Sequence, residues 1–278
     1  MTNKNYTTEI TPPSGIPRIN LKEVWRYKDL LFMLIKRDVF GKYRQSILGF
    51  TWAFVPPLVQ MIVFTLIFGK MGNMGPSGDT PYYLFSFAAL LPWNYFSKAM
   101  NSSGNSLISG KGLLTKVYFP RLILPLTGVL GSLVDFAIGF VALMILFLIS
   151  GVYPSMKILT LPAFLLLAII SVSAVSLWLT SLSVKYRDVK FIIPFLVQVW
   201  MFVTPVIFSL EKVPEKYKLL VWLNPMCGVV EGFRWCLIST YDTPNWGYMG
   251  ISLVITLLVL ISGLFYFKYT ENTFADII

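Results

Sequence analysis

Six stretches of this 278-residue chain, residues 48–69, 82–108, 122–150, 158–184, 191–208 and 246–269, are apolar over about the length that crosses a bilayer as helix. A hydrocarbon core of about 30 Å takes about 20 helical residues. Without water to bond, a spanning backbone must pair its own polar groups, which leaves helices and closed barrels. Barrel strands would read as alternating stretches of about ten residues between turns, and these blocks are longer and uniformly apolar. The expected fold is therefore an all-α polytopic membrane protein with six transmembrane helices. Charged residues make up only 13% of the chain, against about 25% in soluble domains.

Loop charge sets the expected orientation, because Lys and Arg near helix ends stay in the cytoplasm. With the N-terminus inside, the inner regions hold 16 Lys/Arg and the outer ones 6. Both termini are expected in the cytoplasm, which requires an even number of crossings. Nine of the basic residues precede the first block and no small-residue cleavage site follows a short apolar core, so a removed signal peptide is not expected.

The net charge of +10 is not read as a nucleic-acid footprint. The basic residues sit at helix ends, where topology and anionic lipid account for them, so membrane lipid and not nucleic acid is the expected contact. The chain has no histidine, which removes the usual base of Ser-His and Cys-His nucleophiles and a common zinc ligand. Cys227 and Cys236, nine residues apart, would stand about 13 Å from each other on one helix, beyond disulfide reach. They read as small buried hydrophobes.

Residues 1–20 hold Pro12, Pro13, Gly15 and Pro17 without an apolar period and read as an extended tail. From Leu21 the pattern changes. Val24, Tyr27, Leu31, Leu34 and Ile35 fall on one side of a helix, with Lys22, Arg26, Asp29, Lys36, Arg37 and Arg44 on the other. Asp38 falls on the apolar side, so the stripe is expected to break near Arg37. An amphipathic helix over 21–46 lies in the membrane interface, as a lipid anchor or as a docking surface for a cytoplasmic partner.

Residues 109–121, SGKGLLTKVYFPR, connect the second and third blocks. Gly110 and Gly112 permit tight turns and Pro120 stops a helix, while Leu113, Leu114, Val117, Tyr118 and Phe119 are too apolar for a solvated loop. Either the segment tucks under its own bundle or it enters a partner's groove. Its SGKG lacks the spacing of a phosphate loop, so any ATP used is bound by another chain.

Between the fifth and sixth blocks, LLVWLNPMCGVVEGFRWCLI is apolar enough for the membrane, yet is broken by Asn224, Pro225 and Gly228 and carries Glu231 and Arg234. A straight crossing would bury both charges and put the C-terminus outside. A re-entrant pair of helices over 216–238 avoids both, since non-helical backbone at membrane depth is tolerated inside protein, and Glu231 and Arg234 at i,i+3 can neutralise each other. Helices lying on the outer leaflet are the alternative.

The segment LNPMCGVVEGFRWCLI resembles the corresponding part of ABC-2 type permeases that export bacterial surface polysaccharide, in particular the O-antigen permeases of lipopolysaccharide assembly. LIKRDVFGKYRQSILGFTWAFVPPL resembles that family's interface helix running into its first membrane helix, LLTKVYFPRLILPL its coupling loop, and SVKYRDVKFIIPFLVQVWMFVTPVIF the start of its fifth helix. The resemblance implies a homodimer paired with two copies of an ATP-binding subunit, moving a polysaccharide linked to undecaprenyl diphosphate across the bacterial inner membrane. It implies no cofactor on this chain, ATP and Mg being bound by the partner. It divides the chain into a cytoplasmic tail (1–20), an interface helix (21–46), a transmembrane domain (48–269) and a cytoplasmic C-terminus (270–278). ATPase coupling is assigned by this resemblance to Leu113, Leu114, Val117, Tyr118, Phe119, Arg37, Tyr43 and Arg44, and a periplasmic gate to Asn224, Pro225, Glu231 and Arg234.

Sugars pack their CH faces on aromatic rings, which makes Tyr43, Trp52, Phe54, Trp93, Tyr95, Phe96, Trp200 and Phe202 candidate channel-lining residues beside lipid contact as their ordinary role. Lys98 and Asp135 join them, as charges within apolar blocks that face a bundle interior or water. Teichoic acid or capsule export is the near alternative and an ion-coupled secondary transporter a remoter one. A transferase lacks acids, Asp135 being the single one inside a block.

Overall fold

The computed structural model describes residues 21–44, 49–72, 74–75, 80–154, 156–241 and 243–277, and among these there is no strand. The proposed tail 1–20 and residues 45–48, where the interface helix was expected to end and the first block to begin, lie outside the described residues.

Two helices open the chain, α1 (Leu21–Arg26) and α2 (Lys28–Arg44), with Glu23 and Asp29 in their first turns and Arg26, Lys42 and Arg44 in their last. That placement complements the helix dipole at both ends. Leu34 is buried with Leu107, Phe119, Ile123 and Leu124. Beyond Arg37 the apolar stripe ends but the helix does not, because its next turns face polar side chains of its neighbours instead of lipid.

The first apolar block forms a 3-10 turn (Gly49–Ala53), then α3 (Val55–Phe64) with proline in its first turn, then a π-helical stretch (Thr65–Met71). Proline is tolerated there since the first N–H groups of a helix have no partner to lose. The second block is α4 (Tyr82–Gly104), followed by the short α5 (Ser106–Ser109) and α6 (Lys111–Leu114). Next come α7 (Ile123–Ile149), α8 (Leu161–Lys185) behind a 3-10 turn (Met156–Thr160), and α9 (Val189–Val203). A final group comprises α10 (Glu215–Trp222), α11 (Pro225–Leu237) and the 32-residue α12 (Trp246–Ile277).

Among the described residues, four helical stretches are long and apolar enough to cross a membrane: Thr51–Met71, Ile123–Ile149, Met156–Lys185 and Trp246–Glu271. The remaining two of the six expected blocks differ from these. α9 is apolar but has 15 residues, about 22 Å at 1.5 Å per residue. α4 carries Asn94, Ser97, Lys98, Asn101, Ser102 and Ser103, and it is the central helix, packed on α3, α7, α8, α9 and α11. Its surroundings are protein rather than lipid, so it needs less apolar surface than a helix at the rim.

Close helix approaches use small residues, as is usual where no hydrophobic drive holds helices together. A Cβ on Gly128 of α7 would stand 2.6 Å from the backbone nitrogen of Ser103 on α4, and one on Gly263 of α12 would stand 2.9 Å from the carbonyl oxygen of Ala174 on α8. Hydroxyls bridge α4 and α8: Thr180 donates to the Ser103 carbonyl at 2.9 Å and Ser183 to that of Gly104 at 2.6 Å.

Candidate functional site

Three polar places stand out in this apolar bundle. At the end where α4 begins, Asn224 separates α10 from α11. Its backbone is extended and its side chain caps α11 by accepting from the Met226 N–H at 3.0 Å, with Pro225 following in the first turn. The same Oδ1 accepts from Trp200 Nε1 at 3.0 Å, and Nδ2 donates to Thr204 Oγ1 at 2.8 Å. The break is thus tied to the end of α9. One turn of α11 places Glu231 and Arg234 together: Arg234 Nη1 meets Glu231 Oε1 at 3.0 Å, both side chains buried. Arg234 Nη2 also donates to the Val206 carbonyl at 2.9 Å, and its guanidinium lies over the Phe85 ring. Tyr241 donates to the other Glu231 oxygen at 2.8 Å.

Asn224, Pro225, Glu231 and Arg234 are therefore one connected group. Tyr241, Thr204, Phe85 and the carbonyl of Val206 complete it, and no local spacing announces them. A cavity of about 340 Å³ opens beside it, lined by Glu211, Glu215, Lys218, Trp222, Glu231, Tyr241 and Tyr248 among others. Cys227 and Cys236 are both free and buried on α11.

Halfway along the bundle, three helices converge on one carboxylate. Asp135 of α7, its side chain 8% exposed, is 2.7 Å from Lys42 Nζ of α2 and 3.1 Å from Lys98 Nζ of α4. Tyr43 donates to it at 2.5 Å. Burial, reinforced by the hydrogen bond to Asp135, pushes the Tyr43 hydroxyl well above its ordinary pKa and keeps it a donor. This cluster joins Tyr43, assigned to coupling from the sequence, with Lys98 and Asp135, assigned to the channel. Asp135 lies 12 residues into its helix, so it is no helix-end charge.

At the opposite end, α6 and the loop after it sort their apolar residues. Phe119 is 4% exposed and packs into the cluster around Leu34 and Ile123, Leu113 and Leu114 are half-buried against it, and Tyr118 is 79% exposed with Val117 beside it. Phe119, Leu113 and Leu114 thus tuck under the bundle, as one of the two sequence readings expects, while Val117 and Tyr118 are left exposed. Tyr118, Val117, Arg121, Glu23, Lys268 and Glu271 line a groove of about 240 Å³. Arg121 donates to the Glu271 carbonyl, which ties the loop to the far end of α12. The Glu23 carboxylate, 3.4 Å from the Tyr118 hydroxyl, holds that hydroxyl above its usual pKa. Arg37 is exposed and pairs with Asp38 at 2.8 Å, and Arg44 is exposed.

The aromatic candidates divide in the same way. Trp93 and Tyr95 are buried inside the bundle, Phe54 and Trp200 half-buried, Trp52 and Phe202 exposed. Among the described residues no cluster of three or more His, Cys, Asp or Glu could hold a metal ion.

A model of the ABC-2 type transporter family matches residues 29–238. The chain belongs to that family. The match runs from α2 to the end of α11, and so contains all three polar places save the part contributed by α1, Tyr241 and α12. Similar ABC-2 type relatives are an O-antigen export system permease protein, RfbA, of Myxococcus xanthus, 29% identical over 77% of this chain and 82% of its own length, and its namesake of Klebsiella pneumoniae, 23% identical over 90% and 95%. The polysialic acid transport protein KpsM of Escherichia coli is 25% identical over 88% of this chain and 93% of its own.

Proposed function

We propose that this ABC-2 type chain is the transmembrane permease subunit of a transporter that exports O-antigen polysaccharide linked to undecaprenyl diphosphate across the bacterial inner membrane. It works as a homodimer with two copies of a separate ATP-binding subunit and is not itself an enzyme. The observation that carries the reading is the match to O-antigen export permeases over 77% and 90% of the chain. The likeness to KpsM favours a capsular polysaccharide as the second reading, with teichoic acid in the same class.

Six crossings are assigned to Thr51–Met71, α4, α7, Met156–Lys185, α9 with the residues after it, and α12, with both termini cytoplasmic. The 16 to 6 bias of Lys and Arg supports this orientation. Between α9 and α12, residues 216–238 form a re-entrant gate on the periplasmic side. The Asn224 break and the internal neutralisation of Glu231 by Arg234 favour it. On the cytoplasmic side, Val117 and Tyr118 reach the ATPase directly and the exposed Arg37 and Arg44 of α2 are assigned to the same coupling, while Leu113, Leu114 and Phe119 hold the loop through packing and Tyr43 fixes α2 against Asp135. Trp52 and Phe202, exposed on the bundle, are the aromatics best placed to face a channel between two copies.

The test is co-purification with a candidate ATP-binding subunit from the same genome, followed by export in cells. ATP hydrolysis confined to the complex, with loss of surface glycan on deletion of the chain, is the expected result. Hydrolysis by the chain alone, or unchanged surface glycan, would overturn the reading.

A further inference from the structure

The Asp135 cluster forms one wall of a groove of about 290 Å³ between α2, α4 and α7. Asp38, Val39, Lys42 and Tyr43 line it from α2, Ser97, Lys98, Asn101 and Ser102 from α4, and Thr127, Gly128, Gly131, Ser132 and Asp135 from α7. The α7 residues lie 4 to 12 positions into the helix, about 6 to 18 Å along it at 1.5 Å per residue. With the cytoplasmic end at Ile123, that runs from the level of the inner headgroups to near the middle of a hydrocarbon core of about 30 Å.

The charges there do not cancel. Two lysines meet the single Asp135 carboxylate, and the other carboxylate of the lining, Asp38, is held by Arg37 at 2.8 Å. One positive charge is left over at membrane depth, where an unpaired charge is costly. Each lysine ammonium carries three donors. Lys98 uses one of them on Asp135 and Lys42 two, so both have donors left to offer. The start of α3 lies beside the cluster, Pro57 lining a small cavity with Lys98 and Asp135, and the next turns of α3 expose the apolar Val59, Ile62 and Val63.

We propose that this groove binds the phosphate or diphosphate headgroup of an amphiphile, with Lys42 and Lys98 as its charged contacts and the open face of α7 at Gly131 giving it room. Under the export reading, on which this assignment of the ligand rests, the headgroup is the anionic link between the glycan and its lipid carrier. Tyr43 and Asp135 position the lysines and do not touch the anion.

The experiment uses the purified chain in nanodiscs of phosphatidylcholine and measures binding of farnesyl diphosphate, inorganic pyrophosphate and dioleoyl phosphatidylglycerol. Lys42→Gln leaves the Lys98–Asp135 pair in place, and Gly131→Phe fills the groove where an added Cβ meets nothing within 4 Å. Each is expected to weaken farnesyl diphosphate about tenfold, and Lys36→Gln on the exposed face of α2 to leave it unchanged. Equal affinity for pyrophosphate would support the site with the phosphate alone as ligand, and equal affinity for phosphatidylglycerol would support it with ordinary lipid as occupant. Wild-type binding by both groove variants, or no binding of any probe, would overturn the proposal. Loss of probe binding with export intact would refute this inference alone, while absence of export with binding intact would refute only the export reading.

Discussion

The guanidinium carbon of Arg234 lies 3.6 Å from the centroid of the ring of Phe85, 149 positions earlier in the chain. Together with Glu231 and the carbonyls of Val206 and Phe208, that ring gives a fully buried cation partners on every side. Glu231→Gln removes the charge that balances it. Breaking a buried pair costs about 3 to 5 kcal/mol, so the variant should unfold at clearly lower temperature in detergent. An unchanged Tm would show that the carbonyls and the ring suffice.

Tyr118 and Phe119 are neighbours with opposite environments, and their substitutions should separate binding from folding. Tyr118→Asp places a charge that has to be desolvated on docking, and should abolish pull-down of the ATP-binding subunit while leaving Tm within about 1 °C of wild type. Phe119→Ala should do the reverse at first, lowering stability by about 3 kcal/mol as buried aromatic truncations do. Undiminished pull-down by Tyr118→Asp would remove this loop from the docking surface.

Gly128→Val should destabilise the α4–α7 contact. Its Cβ would press within 2.6 Å of the Ser103 backbone, which cannot rotate away as a side chain could. Overpacking of this kind costs about 1 to 3 kcal/mol. Gly112→Ala, where nothing lies within 4 Å, is the neutral control. Detergent-solubilised yield and Tm are the readouts, and equal values for the two variants would contradict the packing described.

Single cysteines at Lys216 and Asn245, both exposed and on either side of α11, should label from the same face of the membrane with an impermeant thiol reagent. The native Cys227 and Cys236 are buried and should stay unlabelled even before replacement. Labelling of the two positions from opposite faces would mean that the α10–α11 segment crosses.

The parts legible in the sequence are those set by local rules. Apolar runs announced the long helices, Asn224-Pro225 announced a break, and the i,i+3 spacing of Glu231 and Arg234 announced their pair. The meeting of Tyr43 and Asp135, 92 positions apart, depends on how α2 lies along α7, which no periodicity encodes. The α2 helix also carried a misleading sign. Its apolar stripe fades near Arg37 because its later turns face Asp135 and Lys98. Hydropathy was similarly silent on α4, whose polar residues are matched by neighbouring helices instead of lipid. For the aromatics, composition could nominate Trp93 and Trp52 equally, and only packing separates the buried one from the exposed one.

The pairing of Lys98 with Asp135 has a consequence for how the chain is made. A lysine within a helix disfavours its release into lipid by about 2.5 to 3.5 kcal/mol at the bilayer centre, and the carboxylate that neutralises it is synthesised 37 residues later. At about 5 to 20 residues per second that interval is roughly 2 to 7 s. During it α4 holds a cation without that partner, which predicts that its release from the insertion machinery waits for α7.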